Sequence, residues 1–365
     1  MRTFSKAITP FMPLPSPDIL RSSDACEIGN FLAKRELFAS GRDAMFRIAK
    51  ILGGKPALWI PRFFCPPLLK PLSEFFQIQF YDDYPSMPLP EFNTLNATEG
   101  DVVLAVNFFG LRGNHINIDS WRNWKSKNPK ITLVGDFTHA PFCRAQECDA
   151  FDFVFASFRK SLPIPDGAFL YTARGNPSPM FSNMSPAGIC DFAADFLQAA
   201  ALCGTYGPIS HTEDEYLYYR AETKLNSRRH FSPISAFSQK TLRRLDIKKI
   251  ETARAENAMA FSNAVLSAGN PHVEELNRKF SNFENLEDCS IFAPILKFSK
   301  PSLRDSVYDA LSKVGARPCI YWGGFGKGAD KRTLEEESSL LAVPLDFRHS
   351  LDDALKAASI VISCF

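Results

Sequence analysis

The stretch ITLVGDFTHAPFCRAQECDAFDFVFASFRKSLPIPDGAFLYT, residues 131–172, decides the fold. It holds three apolar runs: Ile131–Gly135, Phe151–Ser157 and Ala168–Thr172. Each is short, rich in β-formers and bounded by Asp, Pro or Gly, which marks a strand. Apolar runs without polar alternation mark strands buried on both faces, as in a parallel sheet covered by helices. Asp136 directly follows the first run, and Lys160 follows the second within Ser157-Phe158-Arg159-Lys160.

Working outward, the same pattern continues. Ala57–Ile60, Gln77–Tyr81 and Asp101–Asn107 (DVVLAVN) read as further strands. Between them, Gly41–Leu52 places Ala44, Met45, Ile48, Ile51 and Leu52 at helical spacing, with Ser40 as cap and Gly53-Gly54 as stop. Pro67–Phe76 and Asp119–Lys127 are two more expected helices, the latter with Trp121 and Trp124 on one side. Strands alternating with helices define an α/β large domain, residues 39–235, with a mostly parallel sheet. Residues 1–38 are Pro-rich and are expected to form a strap over the surface or over a partner subunit. Ser178–Gly204 reads as helical, and Tyr206–Phe231 turns polar, basic and aromatic. A long helical pattern over Gln239–Gly269 opens the last part, residues 236–365. There Ser290–Phe298, a helix at Leu303–Val314, a strand at Pro318–Tyr321 and a helix at Leu351–Ala358 suggest an interdomain helix and a small C-terminal α+β domain.

Composition narrows the function. The 365 residues are 45% hydrophobic and 22% charged, an ordinary globular balance. A net charge of +2 points to neither a nucleic acid nor an anionic membrane as partner. Nine Cys without CxxC spacing suit reduced thiols in the cytoplasm, and no metal site is expected. No run of eighteen apolar residues suggests a membrane span, and the N-terminal segment lacks a signal-peptide core.

Ligands of open α/β sheets sit outside the carboxyl ends of the strands. Asp136, Lys160 and the helix start Ser40-Gly41-Arg42 all map there. A pyridoxal phosphate (PLP) site needs these parts: a lysine amine for the aldehyde, a carboxylate for the pyridine nitrogen, and helix N-terminal amides for the phosphate. Ser157, three residues before Lys160, can add a hydroxyl to the phosphate. Alone, each part has a plain structural reading as cap, turn or solvated side chain. Other features read more simply. Gly323–Gly328 (GGFGKG) lacks phosphate-loop spacing and reads as a surface turn. His115, His139 and Asp119 fall short of a metal set. Cys65 reads as a structural thiol rather than a nucleophile. Arg228-Arg229-His230 fits an anion site or a solvated patch equally. Tyr216, Tyr218, Tyr219 and Arg220 fit a substrate-facing flap or interdomain packing.

The ordered succession of motifs resembles the DegT/DnrJ/EryC1/StrS aminotransferases, a family of PLP-dependent transferase fold type I, from about Ala39 onward. ASGRDAM resembles that family's phosphate-binding SGxxAL, and LWIPRFFCPPLLKPL its next strand and helix. VNFFGLRGN resembles the H-x-F/Y-G strand end, VGDFTHAPF the segment with the pyridine-binding Asp, and SFRKSLPIPDGAFL the Schiff-base segment. ARAENA resembles the R-R-x-N-Y interdomain helix. GARPCIYWG and LLAVPLDFRHSLDDA resemble small-domain motifs. The resemblance implies that Lys160 is the Schiff-base lysine and proton shuttle, that Asp136 pairs with the pyridinium, and that His139 lies beside the ring or its 3′-oxygen. It implies phosphate-binding amides at Ser40, Gly41 and Arg42, Ser157 in the phosphate shell, and Phe108 or Phe109 in the stacking wall. Arg42 stands where small residues are usual. Asn226, in LNSRR, resembles the segment that reaches the partner subunit's phosphate, which implies a homodimer with shared active sites. The implied reaction moves an amino group from an amino-acid donor, such as glutamate, to a keto acceptor. The family is best known for nucleotide-linked keto sugars as acceptors. A PLP lyase, decarboxylase or epimerase, and a non-catalytic binding protein of the same fold, remain alternatives.

Overall fold

The computed structural model describes residues 15–21, 26–143, 149–173, 188–206, 213–280, 290–326 and 328–365. Seven strands form the main sheet: β1 (Glu36–Phe38), β2 (Ala57–Pro61), β3 (Gln77–Tyr81), β4 (Val102–Val106), β5 (Thr132–Asp136), β6 (Phe153–Ser157) and β7 (Ala168–Thr172). Their order is β1-β7-β6-β5-β4-β2-β3. Strands β3, β2, β4, β5 and β6 run parallel; β7 is antiparallel to β6, and β1 to β7. Strands β4 and β6 are buried at every position, as their continuous apolar sequences require.

Helices cover both faces. On one side, α2 (Gly41–Leu52) and α3 (Pro66–Ser73) accompany a core that joins Met45, Ile48, Leu58, Ile60, Leu104 and Phe155. On the other, α1 (Cys26–Ala33), α4 (His115–Lys127) and α7 (Ala236–Arg244) bring Leu32, Trp121 and Leu242 against Val103, Leu133, Val154 and Phe169. Successive residues of one strand, such as Val103 and Leu104, thus enter different cores, the period-two consequence of the pleat. Phe residues supply much of both layers, among them Phe38, Phe46, Phe63 and Phe155 in the first and Phe137, Phe151, Phe158 and Phe169 in the second.

A pair of helices, α5 (Asp191–Tyr206) and α6 (Glu213–Ser227), packs its own small cluster around Phe192, Phe196 and Leu225. Next, α8 (Ile247–Ser267) links two cores, with Ile250 in the second sheet layer and Phe261 and Val265 in a third cluster. That third cluster backs an antiparallel sheet of order β10-β9-β8, made of β8 (Val273–Glu275), β9 (Ile295–Phe298) and β10 (Leu340–Ala342). The short α9 (Leu276–Phe280) follows β8. Helices α10 (Pro301–Lys313) and α12 (Leu351–Ile362) put Val307, Leu311, Ala354 and Val361 into the cluster. Helix α11 (Lys331–Ser339) leads into β10.

Four expectations change. The strap expected over residues 1–38 does not hold for 26–38, where α1 joins the core through Ile28 and Leu32 and β1 pairs with β7 to close the sheet edge, while residues 1–14 and 22–25 lie outside the described residues. Three residues are too few to show alternation in a sequence. The helical pattern over Gln239–Gly269 is two helices, because Leu245 is extended and the Asp246 carboxylate accepts from the Lys249 N–H at 3.1 Å, capping a new helix. The strand expected at Pro318–Tyr321 is a single bridge between Cys319 and Ala342. The helix expected from Ser178 begins at Asp191, its expected start lying outside the described residues. No helix among the described residues is long and apolar enough to cross a membrane.

Candidate active site

Pairing register brings the carboxyl ends of the parallel strands level. Asp136 lies beside Val106 on one side and Phe155 on the other. Above this edge opens a cavity of about 230 Å³. Asp136, His139, Lys160, Ser40, Gly41, Arg42, Ser157 and Asn226 all line it. Residues 96 positions apart in sequence, Ser40 and Asp136, therefore meet because the sheet's parallel strands start their following segments at one edge.

The Asp136 carboxylate is buried and accepts the Thr138 backbone N–H at 2.9 Å, with the Thr138 hydroxyl as a further donor. Burial outweighs these bonds and pushes its pKa up, since no cation of the protein is ion-paired with it among the described residues. A ligand cation at this carboxylate would supply what the protein does not.

Lys160 sits in a short 3-10 turn, Phe158–Lys160, between β6 and β7. Burial pulls its ammonium pKa down, against the carboxylates of Asp136 and Glu222. Its Nζ lies 3.4 Å from His139 Nε2. The Phe109 backbone N–H donates to His139 Nδ1 at 3.2 Å, so a neutral imidazole carries its proton on Nε2. That proton faces Nζ and is accommodated by a neutral amine, not by an ammonium. The burial that pulls down His139 and the burial that pulls down Lys160 therefore act in the same sense. A neutral amine is the nucleophilic form.

His139 is itself clamped. Phe109 stacks on its ring at 5.2 Å and 12°, and Trp322 at 5.7 Å and 28°. Phe109 and Trp322 both have positive φ, 53° and 57°, an uncommon conformation for aromatic residues. Phe108 and Phe109, expected in the stacking wall, do not line the cavity. Phe109 stands behind His139, and Phe108 is buried against Phe63 and Trp322. After them, Gly110 has φ 83°, and a Cβ there would come 2.1 Å from the Ser290 carbonyl oxygen. Gly110→Ala is expected to cost about 2–3 kcal/mol of stability, read from the denaturant midpoint.

Helix α2 begins at Gly41. Its cap, Ser40, accepts from the Asp43 N–H at 3.2 Å, and its hydroxyl donates to the Asp43 carboxylate at 2.8 Å. The Ser40 side chain is thus committed to the cap, and what the helix start offers the cavity is its first amides, which have no intrahelical acceptor. Asn226, which the resemblance reserves for a partner's phosphate, lines the cavity of its own chain and accepts from Arg42 at 2.7 Å.

The sequence reading left Arg159, Glu222, Tyr321 and Trp322 unassigned, kept Tyr218 open between a flap and packing, and took Cys65 as a structural thiol. Arg159 donates to Glu222 at 2.7 Å and lies over the Phe196 ring. Tyr218 and Glu222, one turn apart on α6, both line the cavity; their i, i+4 spacing in the EDEYLYYRAE segment was the available signal. Tyr321 and Trp322 enter from the C-terminal part, and Cys65 faces Lys160 with its thiol pushed up by burial. The Asn107 side-chain amide, also on the wall, has a buried nitrogen without a partner among the described residues.

No family model and no curated protein matches the sequence. The solved structures do. The aminotransferase TlmJ from Streptoalloteichus hindustanus is similar over 98% of both chains, with 14% identity and a TM-score of 0.63. The proposed sugar aminotransferase Spr1654 from Streptococcus pneumoniae, in its PLP form, covers 98% of this chain and 99% of its own, with 14% identity and a TM-score of 0.63. Helicobacter pylori PseC, an aminotransferase of pseudoaminic acid biosynthesis, covers 99% of both at 11% identity, TM-score 0.61. The chain has the fold of these aminotransferases, α/β with a mostly parallel seven-stranded sheet.

Proposed function

We propose that this protein is a PLP-dependent aminotransferase that moves an amino group from an amino-acid donor to a keto acceptor. One observation carries the reading: a lysine amine favoured in its neutral form and a buried carboxylate without a cation face the same cavity at the carboxyl edge of the sheet. The residues fit the cofactor. Lys160 would hold its aldehyde, Asp136 its ring nitrogen, and the start of α2 with Ser157 its phosphate. Bound there, PLP supplies an electron sink for the carbanion at the donor's Cα.

The chain's own residues do the rest. Lys160, whose amine lines the cavity beside His139, would serve as the base that takes the donor's Cα proton. His139, held by Phe109 and Trp322, keeps an N–H directed at Nζ and so helps to orient it. The aromatic wall of Phe64, Phe155, Tyr321 and Trp322 limits water at the reacting atoms. Glutamate is the donor that the family resemblance implies, and a keto sugar is the acceptor we favour, because a sugar aminotransferase, Spr1654, shares this fold.

The test is an absorbance titration. Added PLP should give the visible band of lysine-bound cofactor, and L-glutamate should then convert it to the amino form of the cofactor. A protein that forms the band but converts with no amino acid is not an aminotransferase. One that forms no band does not bind PLP as proposed.

A further inference from the structure

Two separate supports of the Lys160–His139 approach end on one turn of α8. Arg254, 1% exposed, lies there three residues after Glu251 and donates to its carboxylate at 2.5 Å. The other terminal nitrogen of Arg254 donates to the Ser161 carbonyl, also at 2.5 Å. Ser161 directly follows Lys160 and ends the 3-10 turn that carries it. The first support thus runs from α8 to the backbone beside the reactive amine. The second starts at the other Glu251 oxygen, which accepts the Ser290 hydroxyl at 2.5 Å. Next to Ser290, Ile291 is buried against Ala255 and Ala258 of α8. The Ser290 carbonyl oxygen fills the space that a side chain on Gly110 would need, and the Phe292 N–H donates to the Phe109 carbonyl at 3.3 Å. The Phe292 ring lies 4.4 Å from that of His139. Phe109 in turn supplies the N–H that His139 Nδ1 accepts. The two supports therefore meet where His139 Nε2 faces Lys160 Nζ.

We propose that Arg254, oriented by Glu251, is a positioning residue that sets the Lys160 turn against His139. Neither Arg254 nor Glu251 lines the cavity, so both act through other residues. Packing alone does not call for a charge here: an apolar side chain of similar volume would fill a buried site at less desolvation cost. What the guanidinium adds is direction, because its donors are held in one rigid plane. One plane joins the Ser161 carbonyl to the Glu251 carboxylate, and so the lysine turn to the segment behind His139. Without it, the buried Ser161 carbonyl loses its side-chain donor and the Glu251 carboxylate its cation, and the two supports come apart.

The effect on turnover rests on the PLP reading; the effect on His139 does not, and the experiment reads the two separately. In the full chain freed of cofactor, ring-nitrogen NMR of His139, assigned with His139→Gln, should place the imidazole proton on Nε2. Arg254→Met should convert this signal to a mixture of the two neutral tautomers. With PLP and an amino-acid donor, the same variant should lower kcat by about 10- to 100-fold and change the donor KM by less than about 3-fold, the mark of lost orientation rather than lost binding. Arg254→Lys, which keeps one charged donor, should recover part of both. Val361→Ala, in the core behind the small sheet, is the control: it should lower the melting temperature and move neither readout. An unchanged His139 signal in Arg254→Met overturns the proposal, as does an unchanged kcat in a variant whose signal has moved. A Val361→Ala variant that moves both readouts as far overturns it too, since loss of stability alone would then explain them. If circular dichroism shows Arg254→Met unfolded, Glu251→Gln decides by the same two readouts, with a smaller change in the same direction as support and no change as refutation. A parent that gives no visible band with PLP fails the cofactor reading, and the NMR comparison alone then decides this one.

Discussion

Lys160→Ala is expected to lose the visible band of bound PLP and to turn over at least about 10³-fold more slowly, since it removes both the amine that holds the aldehyde and the base near the donor's Cα. The fold should survive. Lys160 lies in a 3-10 turn whose neighbours, Phe158 and Ser161, are buried independently of it, and its polar contact is a 3.4 Å approach to His139. Removing a buried amine that burial disfavours as an ammonium takes away a strained group rather than a packing element. Kinetics with an amino-acid donor measure the loss. Borohydride treatment of the PLP-loaded parent should also attach one cofactor to the peptide containing Lys160. A label on a different lysine, or near-normal turnover of Lys160→Ala, would sink the assignment.

Asp136→Asn should separate stability from function. The folded-state pKa of Asp136 is raised above its ordinary 3.8, chiefly by burial. The sign follows: above the folded value the carboxylate is ionised in both states, and burying that charge lowers stability. As pH falls below the ordinary value, both states are protonated and the difference vanishes. An Asn side chain still offers its oxygen to the Thr138 N–H, without the charge. The ligand-free variant should therefore melt above the parent at neutral pH, with the gap closing as pH falls toward about 4. Its aminotransferase rate should drop by about 10²–10³-fold, because no anion remains to keep the cofactor ring nitrogen protonated. Melting curves across pH and donor kinetics test the two halves separately. A variant less stable than the parent at neutral pH would mean that Asp136 is held by more than Thr138.

The parts legible in the sequence were those with dense local signals. Gln77–Tyr81 and Ala168–Thr172 are strands with the limits expected of them, and Gly41–Leu52 is a helix with the expected cap. Asp136, Lys160, Ser157 and Gly41 converge because each lies at a strand end or helix start, where the topology sends its segments to one edge. What escaped was short or set by tertiary contact. Strands β1, β8 and β10 have three residues each, below the length at which periodicity registers. Helix α11, KRTLEEESS, has hardly any apolar face to betray it. Phe109 stands behind His139 and Phe108 against Phe63 and Trp322 rather than in the cavity, a matter of backbone direction after Asn107 that composition does not encode. The Arg42–Asn226 contact joins residues 184 apart, so only the packing of α6 against the site reveals it.

Because β7 runs back along β6, the ten residues from Phe158 to Gly167 close a local loop between adjacent strands rather than a crossover. Loops between sequence neighbours cost little closure entropy, so this β-pair is among the contacts available earliest to the collapsing chain. Ser157, Lys160 and the turn between them can be laid down with it, whereas Ser40 and Gly41 must arrive from more than a hundred residues away. Lys160, in the turn that follows β6, can then be placed while the half of the cavity built by α2 and α6 is still unassembled. In such an order of assembly the Lys160 amine stays open to solutes until α2 and α6 close the walls around it.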